Sequence, residues 1–183
     1  MTELSVADLV TIEPMRRRNI RAVRAIDRQV YPTPWSAALY LDELRRPTNR
    51  VYRVARRGPR VIGYGGAMIV HDEGHITSVA VDPAAQGGGV AARLLAAVHR
   101  GALAKGATAM TLEVRASNRR AQELYRRFGY VPAGARKDYY TDGRGEREDA
   151  IVMWCHDVLD VEHQQLLDAV EARYDDTTDW GRP

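Results

Sequence analysis

Apolar positions along this chain recur first at one set of spacings and then at another, and the change lays out the architecture. Leu9, Val10, Thr11 and Ile12 read as a first strand that Pro14 ends. Ile20, Val23, Ile26 and Val30 follow at helical spacing and predict an amphipathic helix. Tyr31-Pro32-Thr33-Pro34-Trp35 cannot continue it, because each proline pushes its predecessor out of the helical region. Ser36 is placed to cap a short second helix ending at Leu44. Val51, Tyr52 and Val54 open a strand, Gly58-Pro59 turns it, and residues 61–70 return. After the turn His71-Asp72-Glu73-Gly74, residues 76–81 make a third strand. Turns this short require the three to be antiparallel.

The spacing then changes. Gly87-Gly88-Gly89 opens a helix carrying Ala91, Leu94, Leu95 and Val98 on one face, closing between Gly101 and Gly106. Residues 110–114 form a strand, and Ser117 is placed to cap a helix bearing Ala121, Leu124, Tyr125 and Phe128 before Gly129. Residues 130–133 and 150–158 are the last strands, with a polar stretch between them, and 159–174 a terminal helix. Residues 175–183 are expected to fray. An antiparallel meander followed by alternating strands and helices predicts an α/β fold: a mixed, mostly antiparallel sheet of about seven strands flanked by helices. The expected organisation is one domain over residues 1–158 and a helical extension over 159–183.

Composition narrows the classes. With 45% hydrophobic and 28% charged residues over 183 positions, the chain is neither disordered nor a disulfide-stapled miniprotein. No apolar run of about 18 residues predicts a membrane span, and the first ten residues lack the basic-then-apolar order of a secretory leader. The single Cys155 has no internal disulfide partner and no motif pairing it with a base, so a reducing, cytoplasmic setting is expected. The arginine clusters at Arg16-Arg17-Arg18, Arg56-Arg57 and Arg119-Arg120 are too scattered for a nucleic-acid stripe. His71, His75, His99, His156 and His163 show no metal-ligand spacing. No metal is expected, and turn or surface positions suffice for these rings.

The densest chemistry lies where the spacing changes. Val79-Ala80-Val81-Asp82-Pro83 leads through Gln86-Gly87-Gly88-Gly89 into Val90-Ala91-Ala92: a strand end, a loop poor in side chains, and a helix start. Such a turn aims several backbone N–H groups at one point on the positive end of a helix, and glycine lets an anion come close. A phosphate or pyrophosphate is the natural ligand. Gly87-x-Gly89-x-x-Ala92 fits a relaxed dinucleotide fingerprint, with Glu113 further on. That turn belongs after the first strand of a parallel repeat, however, and here antiparallel strands come first. No Gly-Lys-Ser/Thr follows, which excludes a nucleoside-triphosphate loop, and a plain flexible turn is the remaining reading.

Taken with its flanks, Gln86-x-x-Gly89-x-Ala91 after Val-Asp-Pro resembles the acyl-CoA pyrophosphate loop of GNAT-family N-acetyltransferases. Leu112-Glu113-Val114-Arg115, Asn118, Ala121, Leu124-Tyr125 and Phe128-Gly129-Tyr130 are similar to the ribosomal-protein alanine N-acetyltransferases of the RimI type. Pro34-Trp35-Ser36 and Tyr139-Tyr140 with Glu148-Asp149-Ala150 add to that likeness. It spans roughly residues 8–158; the terminal helix is outside the usual pattern, and Gly87 and Gly88 stand where relatives often carry bulkier residues.

The resemblance implies acetyl-CoA as cosubstrate and direct transfer to the α-amine of a protein N-terminus, that of an alanine-starting small-subunit ribosomal protein. It implies Glu113 as base and Tyr125 as acid. The backbone of Val79, Ala80 and Val81 would pair with the pantetheine arm, one N–H polarising the thioester carbonyl. Gln86, Gly87, Gly88, Gly89, Val90, Ala91 and Ala92 would surround the pyrophosphate, and Asn118 would touch CoA. Tyr31, Trp35, Tyr139 and Tyr140 would face the acceptor peptide. Two other readings stay open: acetylation of a lysine or small amine, and a non-catalytic acyl-CoA-binding module. No membrane or nucleic-acid partner is expected.

Overall fold

The periodicities become two helical layers on one sheet. In the computed structural model, which describes residues 9–181, β1 (Val10–Pro14) leads into α1 (Ile20–Val30) and α2 (Ala37–Leu44). Ser36 caps α2, its hydroxyl accepting from the Leu39 N–H at 3.1 Å. The meander of β2 (Arg50–Arg57), β3 (Arg60–Val70) and β4 (Glu73–Val81) is antiparallel throughout. There follow α3 (Val90–Leu103), β5 (Ala109–Arg115), α4 (Arg119–Arg127), β6 (Val131–Thr141), β7 (Arg147–Cys155), α5 (Val161–Arg173) and β8 (Thr178–Asp179).

The strand order is β6-β7-β5-β4-β3-β2-β1-β8. Among the described residues only the β4–β5 and β1–β8 pairs are parallel, so the sheet is mixed and mostly antiparallel as expected. It has eight strands among the described residues, against the about seven expected. The additional one comes from residues expected to fray: Asp175–Thr177 form a 3-10 turn, and β8 pairs with β1. Arg182, Pro183 and residues 1–8, on which the leader reading rests, lie outside the described residues.

Two local expectations are also corrected. β6 runs to Thr141, although the polar pattern predicts strand only to 133. Every residue of β6 except Tyr140 is exposed, so backbone pairing with β7 holds this edge and no hydrophobic alternation announces it. Asn118, not Ser117, caps α4, its side-chain oxygen accepting from the Ala121 N–H at 3.1 Å.

Val51 and Tyr52, adjacent in β2, are buried in different clusters, as alternation across a sheet requires. Tyr52, Val54 and Tyr64 pack with Ile20, Val23, Ile26 and Tyr40 of α1 and α2. On the other face Ile69, Leu112 and Met153 pack with Leu95, Val98, Phe128 and Leu167, from α3, the end of α4 and α5.

One irregularity positions everything that follows. β4 and β5 pair only where Glu73, Gly74 and His75 meet Ala109, Met110 and Thr111. Beyond that, β4 stays with β3 and β5 with β7, so the two strands part. At the parting the β3–β4 register shifts between Gly66 and Ala67, leaving Thr77 as a bulge.

His99 and His163 are core residues, contrary to the turn or surface positions expected of them. His99 lies one helical turn after Leu95, on the buried face of α3, and its ring nitrogens are satisfied there. Nδ1 is 3.1 Å from His163 Nε2, and Nε2 is 2.9 Å from the Tyr130 hydroxyl. Burial holds the His99 ring at about 3, below the ordinary 6.5, and lowers His163 too. The unfolded chain therefore binds more protons in acid. The stability contributed by neutral rings is whole above about pH 6.5 and is lost as pH falls toward 3. The urea midpoint is expected to drop between about pH 7.5 and pH 5, with His99 adding up to about 1.4 kcal/mol per pH unit below 6.5. A flat midpoint would contradict the buried pair.

Candidate active site

Where β4 and β5 part, a cavity of about 250 Å³ opens, lined by Tyr31, Trp35, Val79, Glu113, Tyr125 and Tyr140 among others. A groove of about 410 Å³ adjoins it, lined by Val79, Ala80, Val81, Gln86, Gly87, Gly89, Val90, Ala91 and Asn118, with residues of α4 opposite. Val79, Asn118, Ala121 and Tyr125 line both spaces. They mark the junction.

Alternation along β5 buries Met110, Leu112 and Val114 and turns Glu113 to the opposite face, toward the cleft. The Glu113 side chain is 7% exposed, and both its oxygens are engaged: Oε1 accepts from Arg136 Nε at 2.9 Å, and Oε2 is 3.0 Å from His75 Nε2. The Tyr140 hydroxyl donates to the Glu113 carbonyl at 2.9 Å, and Arg115 stacks 4.4 Å above the Tyr140 ring. Tyr31 donates to the Val79 carbonyl at 3.3 Å.

Tyr125 is buried on α4, one turn past Ala121, and its hydroxyl bonds to no described residue. Burial pushes this phenol well above its ordinary value, so it keeps its proton at neutral pH.

The loop before α3 is set by its ends. Asp82 accepts from the Ala84 N–H at 2.9 Å and from Arg60 at 2.6 Å, contacts that hold its carboxyl below the usual range. Gln86 spans the groove mouth, donating to the Val81 carbonyl at 3.3 Å and accepting from Arg120 at 3.0 Å. Gly87 and Gly89 have φ of 92° and 74°, which disfavours any side chain.

Most of the expected residues converge, and three do not. Tyr139 is half exposed and stacks edge-on against Tyr140 at 5.1 Å, outside the cavity lining. Gly88 faces solvent, and Ala92 turns under α3 toward the core. Asn118 lines the junction while its side-chain oxygen is spent capping α4.

The sequence reading missed Asp27, His75, Arg136 and Arg120. Asp27 is 1% exposed in the cavity wall and accepts from the hydroxyls of Tyr40, at 2.7 Å, and Tyr64. Burial raises its carboxyl, and the two phenols pull it partly back. The available signal was a carboxylate one turn after Val23 on the apolar stripe of α1. Among the described residues no three His, Cys, Asp or Glu side chains group to hold a metal, and no helix is long and apolar enough to cross a membrane.

The profile of the Acetyltransferase (GNAT) family matches residues 20–130. The chain belongs to this family. It is therefore an acetyltransferase. A Bacillus subtilis homologue of the ribosomal protein bS18-alanine N-acetyltransferases is 35% identical over 143 residues, covering 78% of this chain and 93% of the relative. The N-alpha-acetyltransferase RimI of Mycobacterium tuberculosis is 34% identical over 137 residues, 72% and 84% of the two chains. The crystal structure of the Escherichia coli ribosomal-protein-S18-alanine N-acetyltransferase superposes with a TM-score of 0.72 at 28% identity, over 80% of this chain and 92% of that one.

Acetyl-CoA, the family's acetyl donor, fits the groove on the chemistry present. The space beside Gly87 and Gly88 is open to 4 Å, a helix N-terminus faces the loop, and Arg120 and Arg127 line the far wall where phosphates need cations.

Proposed function

We propose that this GNAT enzyme acetylates the α-amine of a protein N-terminus, an alanine-starting ribosomal protein of the bS18 kind, by direct attack on acetyl-CoA. The observation that carries the reading is the junction at Val79 and Tyr125, where a groove shaped for the donor opens into a separate cavity walled by Glu113. The names of the bS18-alanine relatives support the choice of acceptor.

Bound acetyl-CoA supplies an acetyl group on a thiol leaving group. The loop from Gln86 to Ala91 receives the pyrophosphate with backbone N–H groups, and β4 from Val79 to Val81 offers its edge to the pantetheine arm. A β4 N–H polarises the acetyl carbonyl. Glu113 takes a proton from the incoming ammonium, whose pKa is roughly 8. His75, 32% exposed on its side chain and 3.0 Å from Glu113, leads that proton to solvent. Tyr125 donates to the departing sulfur. Cys155 takes no part: it is buried outside both linings, and burial pushes its thiol up to about 11.

The test is mass spectrometry of two peptides incubated with acetyl-CoA. One starts with a free Ala and lacks Lys; the other has a blocked N-terminus and an internal Lys. Acetylation of the first alone is expected. Reaction of the second alone overturns the α-amine assignment, and reaction of neither shifts the acceptor to a small amine.

A further inference from the structure

The reading of the groove as the acetyl-CoA site, on which this inference rests, leaves the segment after β7 without a role. That segment lies past the end of the family profile, yet it is tied to the length of α3. Arg100 donates to Gln164 at 2.7 Å, to Glu171 at 2.9 Å, and to Asp168. At the start of α3, Tyr174 stands against Gly89, the N-cap: a Cβ on Gly89 would lie 2.5 Å from the phenol Cζ. The Arg93 guanidinium covers the same ring at 4.4 Å and donates to the Thr177 hydroxyl at 3.0 Å. β8 then pairs with β1, so the chain is anchored on both sides of Tyr174.

Asp82 and Gln86 fix the start of the loop that Tyr174 abuts, but among the described residues its glycine stretch has no such ties. Gly87 and Gly88 have no atom within 4 Å of where a side chain would stand. Two such glycines make the loop costly to order when a ligand arrives. Arg93 adds a buried cation in the first turn of α3, the end where positive charge is disfavoured until an anion binds. Its Nε has no partner among the described residues. The Tyr174 ring and Thr177 hold that charge in place.

We propose that Tyr174 is a positioning residue for the donor loop: with Arg93 and Thr177 it holds Gly89 at the α3 N-cap and presets the glycine-rich turn to receive the pyrophosphate of acetyl-CoA.

The experiment is calorimetric titration of the full chain with CoA, alongside steady-state kinetics. Tyr174→Ala should raise the CoA Kd and the acetyl-CoA KM about tenfold, the size expected when binding must also order about one loop residue. The kcat at saturating acetyl-CoA should fall less than twofold, and Tyr174→Phe should restore wild-type affinity. Gly88 is outside the left-handed region and its surroundings are open, so adding Gly88→Ala to Tyr174→Ala should stiffen the loop and recover part of the loss. A merely structural Tyr174 predicts no such recovery.

A folded Tyr174→Ala protein that binds CoA as tightly as wild type overturns the proposal, and so does a loss confined to kcat. Should that variant not fold, Thr177→Val keeps the ring and removes the Arg93 acceptor together with the hydroxyl's own bond to the Tyr174 carbonyl at 3.2 Å; it should weaken CoA about threefold, and an unchanged Kd overturns the proposal. Wild-type protein that binds no CoA refutes the functional reading itself, and this inference with it.

Discussion

Tyr125→Phe lowers kcat by about 10²- to 10³-fold while CoA affinity stays within about twofold, the range for loss of one donor to a developing charge. The substitution is unusually clean here. The ring keeps its edge-on contact with Tyr130 at 5.7 Å, and the lost hydroxyl has no partner among the described residues to leave stranded. Wild type and variant should melt together within about 0.5 kcal/mol. The hydroxyl has no partner among the described residues, and the residue that carries it lines both spaces. On the proposed function, its place at the junction of donor groove and acceptor cavity gives it a partner in the sulfur that leaves. Burial raises this phenol far above the roughly 8.5 of an ordinary thiol. On the proposed function its main contribution is therefore a hydrogen bond to the departing thiolate, and the proton follows as the sulfur's charge grows. Stopped-flow or initial-rate kinetics at saturating substrates reads the effect, and a kcat within threefold of wild type would remove Tyr125 from the chemistry.

Glu113→Gln has the second large effect, and its signature is the pH profile. Near pH 7 an α-amine of pKa roughly 8 is mostly protonated, so the enzyme without its carboxylate loses about 10²-fold in kcat/KM. As pH rises past about 8 the free amine is supplied by solvent, and the variant should recover while wild type levels off. The gap is expected to shrink to about tenfold near pH 9. Glutamine preserves the shape between His75 and Arg136 but removes the charge those groups face at 3.0 Å and 2.9 Å. A deficit constant from pH 6.5 to 9.5 would mean that Glu113 only orders its neighbours.

Much of the site is local in the sequence, and that part was legible. The glycine-rich turn, the strand that ends near Glu113 and the helical face that carries Tyr125 each follow from spacing within about ten residues, while the roles expected of Glu113 and Tyr125 came from the family resemblance. What escaped depends on partners far along the chain. Arg136 and His75 reach Glu113 only because β5 lies between β4 and β7. Asp27 reads as a flaw in the apolar stripe until Tyr64, far away in sequence, is seen to donate to it. The long β6 and the parallel β8 were hidden for another reason: exposed or very short edge strands bury no alternating face, so hydrophobic pattern carries no trace of them. The buried His99–His163 pair belongs with these, since a ring that satisfies another ring looks polar in sequence and is not so in the core.

On the proposed function, groove and cavity are two halves of one reaction site meeting at Tyr125. The most direct measurement is the affinity of a conjugate that joins the CoA sulfur through an acetyl bridge to the α-nitrogen of an alanine-starting peptide. Occupying both spaces at once should tighten binding by about 10²-fold or more over CoA alone, with competition against both acetyl-CoA and peptide. A conjugate that binds no more tightly than CoA and leaves the peptide undisturbed would contradict the account.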